Sequence, residues 1–158
     1  MALPSLSTPD LALEVDVSDV EYRHDGSRAW LARIYRPRGA GPFPALLEVH
    51  GGAWTSNDRT QNADLAGALA SSGLVVASID FRLGTESPYP ASIADVNYAT
   101  RWLKASAERF GATPEGLGGL GLSSGGHMVM LSAMRPRGLL VSCFVASYVG
   151  HVGKHIPQ

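Results

Sequence analysis

A single cysteine, Cys143, stands in 158 residues, so the chain has no internal disulfide. With no second thiol and no histidines at ligand spacing, it makes no zinc site, and its plainest reading is a small buried apolar residue. Charge of one sign is missing too: 13 Lys and Arg face 14 Asp and Glu, a formal net charge of −1. Nucleic acid and anionic lipid both need clustered Lys and Arg, so neither partner is expected. No stretch approaches about 18 continuous apolar residues. The start, MALPSLSTPD, lacks the basic flank and apolar run of a secretory signal. A cytoplasmic protein with no membrane association is the expectation. Internal repeats, charge runs and low-complexity segments are absent as well.

What is present is a globular composition, 45% hydrophobic and 17% charged. A chain of this length builds one good core where two halves would each be marginal, so 1–158 reads as one domain. Leu11 to Val20 and Trp30 to Tyr35, rich in β-branched and aromatic residues, flank the turn cluster His24-Asp25-Gly26-Ser27. They predict an antiparallel hairpin. Ala45 to His50 is a short apolar run of the kind covered on both faces, ending at Gly51-Gly52. Thr60 to Ser71 is rich in Ala and Leu and predicts a helix stopped by Gly73.

Leu74 to Asp80 is a second buried strand, and the Pro88 and Pro90 loop leads to a longer helix with Val96, Ala99, Leu103 and Phe110 on one stripe. Ser92 and Asp95 have the spacing of a capping box at its start. Gly116 to Leu122 reads as a third strand and Met128 to Met134 as a helix. Alternating strands and helices with short loops predict an α/β fold. Its sheet is mostly parallel with an antiparallel N-terminal hairpin, and helices cover both faces.

The strongest local signal is Gly121-Leu122-Ser123-Ser124-Gly125, a G-x-S-x-G pentapeptide between a strand and a helix. One reading is a Gly/Ser-rich turn with no chemistry. The other is a nucleophile elbow: a tight, strained bend lifts the Ser123 hydroxyl toward solvent, and the following helix points its free N–H groups at developing negative charge. A second feature favours chemistry. His50-Gly51-Gly52-Ala53-Trp54 follows an earlier strand, where its glycines free backbone amides to face a ligand. Gly51, Gly52 and Ala53, with the N–H of Ser124, are candidate oxyanion donors. His50, at a strand end and ahead of the nucleophile, reads as a brace for the loop rather than a proton carrier. Trp54 lines an acyl pocket or simply packs under the loop.

HGGAW, then DFRLGTESPYPASIADVNYATRWLK, then GLGLSSGGHM, in that order, resemble the hormone-sensitive-lipase-like branch of the α/β-hydrolases, from about Val17 to Arg135. The resemblance implies the N-terminal portion of an α/β-hydrolase fold. It also implies a carboxylesterase or related acyl hydrolase acting on a small-molecule ester, without cofactor or metal. Ser123 is then the nucleophile, with His50, Gly121, Gly125 and Gly126 supporting the two motifs. The stretch from Asp80 to Pro90 matches a family segment of structural character.

The chain departs from the pattern after Ser123. In this fold an acid and then a histidine follow the serine, yet the last acidic residue is Glu115. His127 lies one helical turn on, a poor position for a base. His151 and His155 sit among Gly150, Gly153 and Pro157, which favour a solvated tail over a helix. Leu139 to Tyr148 reads as a further buried strand, while 136–158 diverges from the family, so a fold incomplete at the C-terminus is expected. An open strand edge then invites self-association. Two functions follow: a serine carboxylesterase, or an impaired fold fragment that serves as a binding or assembly module. Peptidases, formamidases and deacylases share the scaffold.

Overall fold

The computed structural model describes residues 12–134 and 142–143. β1 (Val15–His24) and β2 (Ala29–Pro37) pair antiparallel, as the hairpin pattern predicts. β1 runs four residues past Val20, because Asp25 rather than His24 organises the turn. Its Oδ1 accepts hydrogen bonds from Ser27 N and Arg28 N, and its Oδ2 accepts one from Trp30 Nε1 at 2.9 Å. β3 (Phe43–Val49), α1 (Ala63–Ser71), β4 (Val75–Ile79), α2 (Ala91–Ser106), a 3-10 turn (Ala107–Phe110), β5 (Ala112–Gly121) and α3 (Ser124–Ala133) follow. Ser142–Cys143 forms β6, parallel to β5 at Gly118 and Gly119. The remainder of the strand expected from Leu139 to Tyr148, the side chain of Cys143, and the tail with His151 and His155 lie outside the described residues.

The six strands form one sheet in the order β1-β2-β4-β3-β5-β6. β3 pairs parallel with both β4 and β5. The chain therefore steps from β3 to one side through α1 and then to the other through α2, which puts the two crossover helices on opposite faces. On one face Ala45, Leu47 and Val49 of β3 join Val75, Ala77 and Ile79 of β4 in a core sealed by Ile93, Val96, Ala99 and Leu103 of α2 and by Met128 and Val129 of α3. Each Val, Leu, Ile or Met among them contributes about 1.5–3 kcal/mol on full burial. On the other face Leu46 and Val76 meet Ala66 and Ala70 of α1 in a smaller cluster. No helix among the described residues is long and apolar enough to cross a membrane.

Three local readings change. The capping box is not made: α2 starts at Ala91 behind Pro90, with no side-chain cap. Asp95 is instead fully buried inside the helix. It takes two hydrogen bonds from the Arg82 guanidinium, at 2.8 and 2.7 Å, one from Arg82 N, and an ion pair from Arg23. A strand-end arginine outcompetes the helix terminus for this carboxylate because it offers a planar fork of charged donors. α1 begins at Ala63 rather than Thr60, since Asp58 draws Thr60 N and Oγ1 into a turn ahead of it. α3 begins at Ser124, four residues earlier than its apolar pattern suggests.

Candidate active site

Parallel strands end together, so the loops after β3 and β5 emerge side by side at the carboxyl edge of the sheet. That edge is also where the chain's direction of winding reverses, the place at which open α/β sheets hold ligands. Ser123 sits at the tip of the second loop, with φ 51° and ψ −121°, and is exposed to solvent. A non-glycine residue at positive φ costs on the order of 1–3 kcal/mol, so its surroundings must enforce it. They do so by removing side chains. A Cβ on Gly121 would lie 2.4 Å from the Gly125 carbonyl, and one on Gly125 would lie 2.1 Å from the Val49 carbonyl oxygen. Helix α3 is thereby drawn down onto the ends of β3 and β5, with Gly126 tucked behind Gly121.

The first loop meets the second at Gly51. A Cβ there would be 3.2 Å from Ser123 Cβ and 2.9 Å from the Leu122 carbonyl oxygen. Glycine is what lets the two loops touch. Beyond Gly51 the chain turns through Gly52 (φ 117°), Ala53 (φ 51°), Trp54 (φ 63°) and Asn57 (φ 76°). Hydrogen bonds hold this strained stretch in place. The Gly51 carbonyl lies 2.7 Å from His50 Nδ1 and accepts from Asn57 Nδ2, and the Gly52 carbonyl accepts from Thr55 N, Ser56 N and Ser56 Oγ. The Trp54 carbonyl accepts from Gly84 N at 2.6 Å.

Those carbonyls decide where the amides face. In a trans peptide the C=O and the next N–H point in opposite directions. Holding the Gly51 and Gly52 carbonyls inward therefore turns the N–H groups of Gly52 and Ala53 outward. The N–H of Ser124, in the first turn of α3, has no partner within its helix. Among the described residues none of the amides of Gly51, Gly52, Ala53 and Ser124 donates to a protein acceptor.

His50 is buried and stacks on Phe81, with ring centroids 4.4 Å apart. Because its Nδ1 faces a carbonyl, that nitrogen carries the proton, and Nε2 is left as an acceptor. Its bracing bond to the loop matches the sequence reading. His127 is exposed and presents its ring edge-on to Trp54, with centroids 5.7 Å apart. Trp54 itself is 43% exposed, so it borders the loop rather than packing beneath it. Among the described residues no hydrogen bond joins the Ser123 hydroxyl to a histidine or a carboxylate; the His127 backbone N–H donates only to the Ser123 carbonyl, within the first turn of α3.

Sequence reasoning passed over Asn57, Phe81, Gly84 and the buried Glu48. The first three brace the 50–57 loop, two of them from the segment after β4. The signal was available in principle: if β3 and β4 are parallel neighbours, Asp80-Phe81-Arg82 must emerge beside His50. Asp80 ties that segment down by accepting from Arg59 N and Arg59 Nη1, both at 2.9 Å.

The family model described as BD-FAE matches residues 33–142. A probable carboxylic ester hydrolase of Mycobacterium tuberculosis, LipM, is 34% identical over 127 residues, covering 73% of this chain and 30% of LipM. Among solved structures, an esterase of the archaeon Pyrobaculum calidifontis superposes with a TM-score of 0.70 at 30% identity, covering 75% of this chain and 39% of the other. An esterase of the planctomycete Thermogutta terrifontis with butyrate bound superposes with a TM-score of 0.63 at 27% identity, covering 75% and 43%. The chain spans less than half the length of each of these relatives. It belongs to the α/β-hydrolase superfamily, in the hormone-sensitive-lipase-like carboxylesterase family.

Proposed function

We propose that this chain is a serine hydrolase of the carboxylesterase type, with Ser123 as nucleophile and the amides of Gly52, Ala53 and Ser124 as oxyanion donors. Gly51 serves the site by lacking a side chain. The observation that carries the reading is the exposed Ser123, held at φ 51° in contact with the backbone of the 50–57 loop. The Ser123 oxygen attacks the ester carbonyl carbon. Negative charge builds on the carbonyl oxygen, and the outward-turned amides receive it. The bond to the alcohol then breaks as the proton lost by the Ser123 hydroxyl reaches the leaving oxygen through solvent, and water cleaves the acyl-serine to the acid and restores the Ser123 hydroxyl. One such donor is typically worth about 10²–10³ in rate. A short acyl chain is the favoured substrate, by analogy with the butyrate held by the Thermogutta relative.

A second reading has one observation in its favour: among the described residues the Ser123 hydroxyl has no hydrogen bond to a histidine or a carboxylate. Without an acid and histidine to take the serine proton, oxyanion stabilisation and binding alone leave a residual of roughly 10³–10⁴ over water. The chain then works as a binding or assembly module, self-associating through a sheet edge. A fluorophosphonate probe with intact-mass readout, run beside a chromogenic short-chain ester assay, separates the two. Labelling that Ser123→Ala abolishes, with serine-dependent turnover, is the expected result for a hydrolase. Labelling without turnover marks a formed elbow lacking its base. An unlabelled folded protein overturns the proposal.

A further inference from the structure

The face of the sheet beneath α1 carries a group that the chemistry above does not use. Glu48 is fully buried and next to last in β3, and His50, also buried, directly follows the last residue of that strand. Its Oε1 accepts from Asn62 Nδ2 at 2.7 Å, where Asn62 is the residue that opens α1. Its Oε2 is buried with no hydrogen-bond partner among the described residues, and so is His50 Nε2. These two atoms are complementary. His50 Nε2 is an acceptor, because Nδ1 carries the ring proton, and a protonated Glu48 has one O–H to give. Residues two apart on a strand point to the same side, about 7 Å apart along the chain.

We propose that Glu48 is a positioning residue for the oxyanion loop: as a carboxylic acid it donates to His50 Nε2 across one bridging water, and so fixes the ring whose Nδ1–H holds the Gly51 carbonyl. The chain of contacts then runs from Asn62 through Glu48 and His50 to the Gly51 carbonyl, and from there sets the Gly52 amide. The inference rests on the hydrolase reading for its catalytic consequence, though not for the hydrogen bond itself.

The surroundings favour the neutral acid. Burial pushes the Glu48 carboxyl above its ordinary range, opposed by the hydrogen bond from Asn62, by the nearby Ser78 hydroxyl and by His50. The titratable and charged groups on this side are His50 just beyond β3, Tyr35 and Arg33 on β2, Asp80 beyond β4, and Asp58 and Arg59 before α1. The β5 neighbour across from Glu48 is Leu120. The cations are already committed. Arg33 makes a two-bond pair with Asp19, at 2.7 and 2.9 Å, and Arg59 bridges Asp19 and Asp80. Ser78 Oγ, on the residue that pairs with Glu48 across the sheet, and Tyr35 Oη are also buried without partners among the described residues and compete for the Glu48 proton.

The test uses the full chain, with Glu48→Gln, which donates but cannot ionise, and Glu48→Leu. Histidine-ring nitrogen NMR reads the hydrogen bond and owes nothing to activity. In the wild type the His50 Nε2 signal is that of a hydrogen-bonded acceptor; Glu48→Gln keeps it so, and Glu48→Leu moves it to the position of a free one. A His50 signal indifferent to Glu48→Leu overturns the proposal and leaves the proton with Ser78 or Tyr35. The second readout is the rate of Ser123 labelling against pH. Wild type slows about tenfold as Glu48 ionises in the alkaline direction, and Glu48→Gln stays flat. The same alkaline fall in Glu48→Gln overturns the proposal, and this arm stands if Glu48→Leu does not fold. Should no variant label while the His50 signal still responds, the hydrogen bond holds and the hydrolase reading fails.

Discussion

The two loops that meet at Ser123 are made rigid by opposite means. The bend at 121–126 is fixed by missing side chains, with Gly121 and Gly125 letting backbone lie against backbone. The 50–57 loop is fixed by added donors, as His50, Asn57, Thr55, Ser56 and Gly84 each hold one of its carbonyls. A packed bend has no intermediate state, since a methyl group either fits or does not. A hydrogen-bonded loop loosens one bond at a time, each worth about 1 kcal/mol. Substitutions in the bend should therefore remove fold and reactivity together, and substitutions in the loop should lower reactivity and leave the fold standing.

The largest effect is expected at Gly125. An alanine Cβ there would sit 2.1 Å from the Val49 carbonyl oxygen and 2.6 Å from that of His50, both backbone atoms that cannot swing aside. Gly125→Ala is expected to lose about 3 kcal/mol or more in urea unfolding, and to lose Ser123 labelling with it. A variant of wild-type stability that still labels would show that the bend has slack, and would erase the contrast.

Asn57→Gly probes the other loop. Glycine accepts the φ of 76° without strain, so the backbone path survives while the 3.3 Å bond from Asn57 Nδ2 to the Gly51 carbonyl is lost. Midpoints of unfolding should move by less than the equivalent of about 1 kcal/mol. Ser123 labelling should slow about tenfold, because the Gly52 amide is no longer fixed by the carbonyl before it. A large stability loss with unchanged labelling would reverse the assignment of the loop.

This contrast also separates what the sequence makes legible from what it hides. Glycine spacing is a local signal, so Gly121 and Gly125 declare the bend without any structure, whereas Gly51, read from sequence as an amide donor, shows its contact with Ser123 only in the fold. The strand and helix order is equally plain, because alternation and apolar runs are local. Hydrogen bonds from Asn57, Gly84 and Glu48 are not legible in that way. Each depends on which strand lies beside which, and the register Glu48 to Ser78 emerges only when β3 and β4 pair. The Ser92–Asp95 spacing misled for the same reason: a local capping pattern lost its carboxylate to Arg82, thirteen residues upstream and adjacent only in the fold. The buried polar pair at the end of β3, Glu48 and the His50 that follows the strand, has no such local explanation, whereas Ala45, Leu47 and Val49 on the opposite face from Glu48 follow from simple burial.

The smallest expected effect has the opposite sign and tests whether the elbow glycines matter as glycines or as bare backbone. Gly67 lies within α1, outside the positive-φ region, and a Cβ built there meets nothing within 4 Å. Alanine loses less conformational freedom on folding than glycine and prefers the helix, so Gly67→Ala should stabilise the chain by about 0.5–1 kcal/mol. Ser123 labelling should be unchanged, since α1 reaches the site only through Asn62 at its far end. The same one-methyl change is thus expected to raise the unfolding midpoint at Gly67 and to lower it steeply at Gly125. If both variants were destabilised alike, the collision at Gly125 would lose its explanatory force, and a general intolerance of added bulk in this sheet would take its place.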